Sequence, residues 1–141
     1  MKLKKKSSRT KATVLLIEDE PLINKVYQAA FKNTDYSLLV ATNKEEALDL
    51  LFKHQPPLIL LDLIIPVSND LVIEYEHPVG FDILELVKQS DITHDAHVFV
   101  LTNLDNDIYV KRAKSLGVDK YLIKTDTSPS QLIDQVIKFL G

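Results

Sequence analysis

Short runs of apolar residues recur along the chain at nearly even spacing, and most end abruptly on a polar residue. Thr13–Ile17, Ser37–Ala41, Leu58–Leu61, Val98–Leu101 and Tyr121–Ile123 are such runs. They are too short for helices and carry the continuous hydrophobicity of strands buried on both faces. The segments between them have helical spacing. A first helix is predicted from Pro21, a residue suited to the first helical position, with apolar pairs Leu22-Ile23, Val26-Tyr27 and Ala30-Phe31. Thr42-Asn43-Lys44-Glu45 reads as a capping box opening a second helix, with Ala47, Leu48, Leu51 and Phe52 on one face. A third helix is expected over about Gly80–Lys88 and a fourth over about Asp107–Leu116, stopped at Gly117. Ser128-Pro129-Ser130-Gln131 caps a last helix whose inward face is Leu132, Ile133, Val136, Ile137 and Leu140. Five successive βα units predict an α/β fold, a doubly wound parallel sheet covered on both sides.

One segment breaks this rhythm. Residues 67–79, between Pro66 and Gly80, are long for a βα connection, and Leu71 to Tyr75 is apolar enough for a strand of its own. The segment is read as a hairpin-like insertion after strand three.

The polar residues that end the runs carry the chemistry. Val14–Ile17 ends in Glu18-Asp19-Glu20, Leu58–Leu61 in Asp62, Val98–Leu101 in Thr102, and Tyr121–Ile123 in Lys124. In an open α/β sheet the carboxyl ends of the strands form the ligand crevice. Burying a carboxylate there is costly unless something compensates, and Glu18, Asp19 and Asp62 together would repel one another. A hard divalent cation relieves that repulsion, since Mg2+ takes carboxylate, carbonyl and water oxygens and works with phosphate as a further ligand. Lys124 adds a compact positive charge and Thr102 a hydroxyl able to donate to an anion. The set suits transfer of a phosphoryl group onto a carboxylate. Singly, an Asp after a strand is usually a turn or cap residue, and a Lys there is usually solvated. Jointly, at the tips of successive strands, the residues point to a site.

Composition narrows the field. At 141 residues with an ordinary apolar fraction, the chain is expected to form one domain, residues 12–141, with no internal repeat and no output domain. Without cysteine, disulfides, thiolate metal sites and cysteine nucleophiles are excluded. Three glycines in all, Gly80, Gly117 and Gly141, exclude a glycine-rich nucleotide loop. Residues 1–11 carry Lys2, Lys4, Lys5, Lys6, Arg9 and Lys11, and no acid precedes Glu18. This basic start is read as a flexible, solvated tail rather than a signal peptide or a nucleic-acid or membrane contact. A cytoplasmic location, no membrane insertion and no nucleic-acid partner are expected. His94 and His97 lack a completing ligand set.

With these motifs in view, Leu16-Ile17-Glu18-Asp19-Glu20-Pro21, Leu60-Leu61-Asp62-Leu63-Ile64-Ile65-Pro66, Leu101-Thr102 and Tyr121-Leu122-Ile123-Lys124, the chain resembles the receiver domains of response regulators, of the stand-alone chemotaxis-regulator type. The likeness runs from about Thr13 to Leu140. It implies a flavodoxin-like sheet of five parallel strands in the order 2-1-3-4-5 with five helices. It also implies a phosphoryl group accepted on Asp62 from a sensor histidine kinase or a histidine phosphotransfer protein. Glu18, Asp19, Asp62 and the backbone carbonyl of Ile64 would hold Mg2+ or Mn2+. Lys124 would pair with the phosphoryl oxygens, Thr102 would move to bond them, and Tyr121 would swing inward. Output would pass to a downstream protein through the face of helix four, strand five and helix five, as a monomer or a phosphorylation-dependent dimer. Such a chain is no enzyme beyond phosphorylating itself and slowly reversing that step.

Departures from the family pattern concentrate at the doorway. Thr125 follows Lys124 where the family has a proline and a cis bond, so this peptide is expected to be trans. Asn103 stands where the family prefers a small residue and should narrow access. Ile64 and Leu104 are apolar where the family tunes hydrolysis, which predicts a long-lived phosphoaspartate. Two other function classes compete. An aspartyl-phosphate phosphohydrolase would need a second acid where Ile64 stands, which argues against it. A never-phosphorylated interaction domain of the same fold is kept as the alternative. On helix four, Ile108, Ala113 and Leu116 are expected to form a thin buried stripe, leaving Tyr109, Lys111, Arg112 and Lys114 exposed.

Overall fold

The computed structural model describes residues 12–69 and 78–141. Five strands, β1 (Ala12–Ile17), β2 (Tyr36–Ala41), β3 (Leu58–Leu61), β4 (His97–Thr102) and β5 (Lys120–Ile123), pair in parallel in the order β2-β1-β3-β4-β5. They alternate with α1 (Pro21–Phe31), α2 (Lys44–His54), α3 (Gly80–Gln89), α4 (Asp107–Ser115) and α5 (Pro129–Leu140), with a 3₁₀ turn at Lys124–Asp126 before α5. The expected architecture is therefore the observed one. Strand alternation sorts the core into two layers. Val14, Leu16, Leu58, Leu60, Phe99 and Leu101 pack against α1 and α5. Leu15, Ile17, Ile59, Leu61, Val98 and Val100 pack on the other face against α2, α3 and Ala113 of α4.

Strand register sets the two central acids side by side. Ile17 pairs with Leu61, and Leu61 with Val100, so Glu18 and Asp62 leave the central strands at the same level. The ladder runs on past the strand ends: the Glu18 amide donates to the Ala41 carbonyl at 2.9 Å and the Asp62 amide to the Ile17 carbonyl at 3.0 Å. Both acids thus stand on fixed backbone. Helix α3 presses on that backbone from the side. A Cβ added at Gly80 would lie 2.5 Å from the Leu63 Cα and 2.7 Å from the Asp62 carbonyl oxygen, and the Gly80 amide donates to the Leu63 carbonyl at 2.9 Å. Only glycine fits there.

Several local expectations are corrected. The buried stripe of α1 is Asn24, Tyr27 and Phe31, whereas Leu22 (76 %) and Val26 (51 %) point outward. Pairs of adjacent apolar residues cannot all face one side of a helix; the polar Asn24 took the inner position because its amide is used at the site. Phe52 of α2 and Ile137 of α5 are likewise exposed beside buried neighbours. The cap of α2 lies one residue later than expected. Asn43, not Thr42, accepts the Glu46 amide at 2.9 Å, and the Glu46 carboxylate accepts the Thr42 amide at 2.8 Å. The Ser128–Gln131 capping box is present as expected. On α4, Ala113 is buried, but Ile108 is 72 % exposed. Tyr109 turns inward against the core, its ring 5.9 Å from that of Phe81. Gly117 ends α4 with a φ of 89°, a conformation that favours glycine.

The start of the insertion is stitched to α2. The Lys44 and Glu45 amides donate to the Pro66 and Val67 carbonyls at 3.0 and 3.1 Å, and Asn43 Nδ2 donates to Asn69 Oδ1 at 2.9 Å. Residues 70–77, where the added strand was expected, and the basic tail of residues 1–11 lie outside the described residues. Among those described, no peptide is cis, so the bond after Lys124 is trans.

The close approach at Gly80 yields a prediction. Gly80→Ala should destabilise the chain by about 1–3 kcal/mol in urea unfolding, as overpacking against fixed backbone does. An unchanged midpoint would show that α3 can shift off Leu63 without cost.

Candidate functional site

The site lies at the carboxyl end of the sheet, where Glu18, Asp19, Asp62, Ile64, Thr102, Asn103, Leu104 and Lys124 line one pocket of about 230 Å3. Every residue singled out in the sequence except Tyr121 and Thr125 is in this wall, and those two touch it through Leu104 and Asn103. Asp62 and Glu18 are buried, at 5 % and 2 % exposure, and Thr102 is buried beside them. Ligand oxygens of Glu18, Asp19 and Asp62 all lie within 4.8 Å of one another.

The carboxylates of Asp62 and Glu18 are held. Asp62 Oδ1 accepts the Ile64 amide at 3.1 Å, and Asp62 Oδ2 accepts from Lys124 Nζ at 2.7 Å. Lys124 Nζ also donates to Glu18 Oε1, while Glu18 Oε2 accepts the Glu20 amide at 3.3 Å. One ammonium is therefore shared by two buried acids from different strands. Burial, and next the charge of Asp62, push Glu18 up to about 7 even though Lys124 pulls it down. Burial by itself would lower the Lys124 ammonium, but the charge of Asp62 and the hydrogen bonds to Asp62 and Glu18 outweigh it and raise its pKa. Glu20 also lines the pocket, so four carboxylates face the one lysine in its wall and leave an excess of negative charge. Oxygen ligands of that charge and spacing fit a hard divalent ion, Mg2+ or Mn2+.

Two residues that sequence reasoning missed support this cluster. Asn24 Nδ2 donates to the Glu18 carbonyl at 2.8 Å and so fixes the tip of β1. Tyr27 is buried on the same helix face; burial raises its phenol pKa, with Lys124 acting in the opposite sense. The signal that could have found Asn24 was a polar residue three before Tyr27 and seven before Phe31, on one helical stripe.

On the far side, two contacts tie the loop after β4 to β5 and the turn behind it. The Tyr121 hydroxyl donates to the Leu104 carbonyl at 2.6 Å, and the Thr125 amide donates to Asn103 Oδ1 at 3.0 Å. The Leu104 amide reaches Thr102 Oγ1 at 3.4 Å. Tyr121 is half-buried, and burial followed by the charges of Asp62 and Asp105 pushes its phenol up to about 12.

The raised Glu18 pKa has a thermodynamic consequence. The fold favours its protonated form, so this contribution to stability is complete below about pH 4.5 and is lost as pH rises to about 7. Glu18→Gln, which keeps an acceptor but not the charge, should therefore stabilise the cation-free protein by about 2–3 kcal/mol at pH 8. At pH 4 the same substitution should change little. Denaturant melts at the two pH values in a chelating buffer decide it; an equal effect at both would place the cost elsewhere.

Comparison with known proteins agrees with this geometry. The sequence profile described as Response regulator receiver domain matches residues 14–137. The nitrate/nitrite response regulator protein NarL of Escherichia coli K12 is 30 % identical over 129 residues, covering 90 % of this chain and 54 % of NarL. The chain spans about half the length of the curated relatives it matches. Among solved structures, the Mn2+-bound form of response regulator Rcp1 is 25 % identical with a TM-score of 0.68, covering 92 % of this chain and 88 % of that one. The chemotaxis response regulator CheY4 of Vibrio cholerae shares the fold at a TM-score of 0.74 and 20 % identity, covering 90 % of this chain and 97 % of that one. No helix among the described residues is long and apolar enough to cross a membrane. With its strand order, its acid pocket and a family match over nearly its whole length, this chain belongs to the response regulator receiver domains, the signalling modules of two-component systems.

Proposed function

We propose that the chain is a phosphoacceptor switch in which Asp62 takes a phosphoryl group from a phosphohistidine on a sensor kinase or a phosphotransfer protein. The observation that carries this reading is the sharing of Lys124 Nζ between Glu18 and Asp62 within the cluster of Glu18, Asp19 and Asp62. Glu18, Asp19, Asp62 and the Ile64 carbonyl would hold Mg2+ or Mn2+, which supplies neutralising charge for the acids and the incoming phosphoryl group. A carboxylate oxygen of Asp62 attacks phosphorus, the bond from phosphorus to the imidazole nitrogen breaks, and the imidazole leaves with a proton. The product is an acyl phosphate. Lys124 stays with the new charge, moving from the carboxylate to a phosphoryl oxygen. Thr102, buried at the end of β4, turns its hydroxyl to a second phosphoryl oxygen. That shift draws on the loop whose Leu104 carbonyl holds Tyr121, so Tyr121 lets go and moves inward, changing the face made by α4, β5 and α5. New charge biases a two-state packing element, and a downstream protein or a second receiver would read it.

The donor's approach has a surface to use. An open groove of about 550 Å3, lined by Leu22, Val26, Tyr27 and Pro129 among others, adjoins the pocket at Asn103 and Lys124. Its exposed Leu22 and Val26 offer apolar anchors beside the reacting carboxylate. The partner such chemistry requires is a protein carrying a phosphohistidine, which the proposal has the chain meet in the cytoplasm, and no nucleic acid is needed for it.

The direct test is intact mass after incubation with Mg2+ and acetyl phosphate. One phosphoryl adduct on the native chain and none on Asp62→Asn is expected; no adduct on the native chain would favour the never-phosphorylated interaction domain. Because Ile64 and Leu104 line the pocket without a group to orient water, the adduct should be long-lived. Ile64→Asn should shorten its life severalfold, as positioning a water by one hydrogen bond would. Val26→Glu should slow transfer from a histidine-phosphorylated partner by about tenfold, the scale of one interface anchor, and much more than transfer from acetyl phosphate. Equal slowing of both would remove the groove from the docking surface.

A further inference from the structure

Asn103 and Lys124 are the two residues that stand in both the wall of the acid pocket and the wall of the neighbouring groove. They form the partition between the two spaces. They come from different loops, Asn103 from the connection after β4 and Lys124 from the 3₁₀ turn after β5. What joins those loops at this point is the hydrogen bond from the Thr125 amide to Asn103 Oδ1, 3.0 Å long.

That bond answers a local need. The first amides of a helical turn have no partner within the turn and are usually satisfied by the side chain of the residue before it. Here that residue is Ile123, which has no polar side chain and makes no cap. Asn103 supplies the missing acceptor from another loop. A proline at position 125 would have had no amide to satisfy, so the amide of Thr125 and the side chain of Asn103 work as a pair. Their link reaches the peptide next to Lys124, whose ammonium is divided between Glu18 and Asp62. It starts from the residue next to Thr102, the buried hydroxyl of the same pocket. The Tyr121–Leu104 bond ties the same two segments one residue further along the loop.

We propose that Asn103 is a positioning residue: its side chain clasps the turn behind Lys124 and sets where the ammonium stands relative to Asp62 and Thr102. The Tyr121 link opens when the switch turns, whereas the Asn103 clasp stays closed. It keeps Lys124 in register with the loop that carries Thr102 while that loop moves. Asn103 therefore speeds the reaction at Asp62 by orientation. The alternative role, bulk at the entrance, would slow it. The two roles predict opposite signs. The inference rests on the phosphoacceptor reading of Asp62, but its first readout does not.

Asn103→Ala removes both bulk and acceptor, while Asn103→Leu keeps the bulk and removes the acceptor. Asn103→Asp keeps the acceptor. In full-length protein, hydrogen exchange at the Thr125 amide should quicken about fivefold in the Ala and Leu variants, the loss of one hydrogen bond, and recover in the Asp variant. The rate of adduct formation from acetyl phosphate with Mg2+ should fall about fivefold in both Ala and Leu. In a Thr125→Pro background, which has no amide at that position, Asn103→Ala should have no further effect. A faster reaction in Asn103→Ala with Leu behaving like the native chain would overturn the clasp in favour of entrance bulk. So would an Asn103→Ala effect of equal size with and without the Thr125 amide. Absence of any adduct in the native chain would defeat the phosphoacceptor reading and leave the clasp to be decided by amide exchange.

Discussion

The ammonium of Lys124, held between the buried acids Glu18 and Asp62, is the contact on which the rest of the site depends. Carboxylates at the tips of β1 and β3 are placed side by side by strand register, and neither backbone has freedom to separate them. Without a cation their mutual repulsion and desolvation would work against the fold. Lys124 reaches them from β5, two strands away from β3, across the end of β4. One side chain thus binds three separate segments of the sheet end. Its charge offsets only part of the cost, and burial of Glu18, followed by the charge of Asp62, still pushes that carboxyl up to about 7. The pocket is stable enough to form and unbalanced enough to bind.

Around this contact the structure is arranged in two halves of different stiffness. The half made by β1, β3, Gly80 and Asn24 is held by backbone: ladder bonds that continue past the strands, a helix start seated on Leu63, and an amide locked to the Glu18 carbonyl. In the half made by the loop after β4 and the turn after β5, the two segments are joined to each other by hydrogen bonds from Tyr121 and from the Thr125 amide, and the turn is tied to the acids through Lys124. An acid bed held by backbone facing a loop held by side-chain bonds would suit the proposed switch, in which charge delivered to the first is relayed by movement of the second. Asn103 and Thr125, which looked like separate oddities of the doorway, are one contact in this arrangement.

The strands and the site residues at their tips were legible in the sequence because a buried parallel strand is a continuous apolar run, and the polar residue ending it is conspicuous. Asp62, Thr102 and Lys124 could each be placed by that rule alone. Helix faces were less legible. On α1 the apolar residues outnumber the positions that face inward, and the pairs Leu22-Ile23 and Val26-Tyr27 do not tell which member faces out; Leu22 and Val26 line an open groove. Asn24 was passed over because a polar residue looks like surface unless its partner, a carbonyl on another element, is known. On α4 the same difficulty exchanged Ile108 for Tyr109, whose ring found Phe81. The cap of α2 moved by one residue because Asn43 can accept from the helix and donate to Asn69 at once. These are long-range facts, and local periodicity does not carry them.

The central claim is that the pocket of Glu18, Asp19 and Asp62 is completed by a divalent cation, with Lys124 supplying the remaining charge. Titration of Mn2+ into isotopically labelled protein, followed by paramagnetic broadening of amide signals, addresses it most directly. The account predicts saturable broadening strongest at residues 18–19 and 62–64, with Asp19→Asn weakening the affinity by about tenfold or more, the scale of a disturbed metal site. Broadening that does not saturate at these residues, or a titration unchanged by Asp19→Asn, would contradict it.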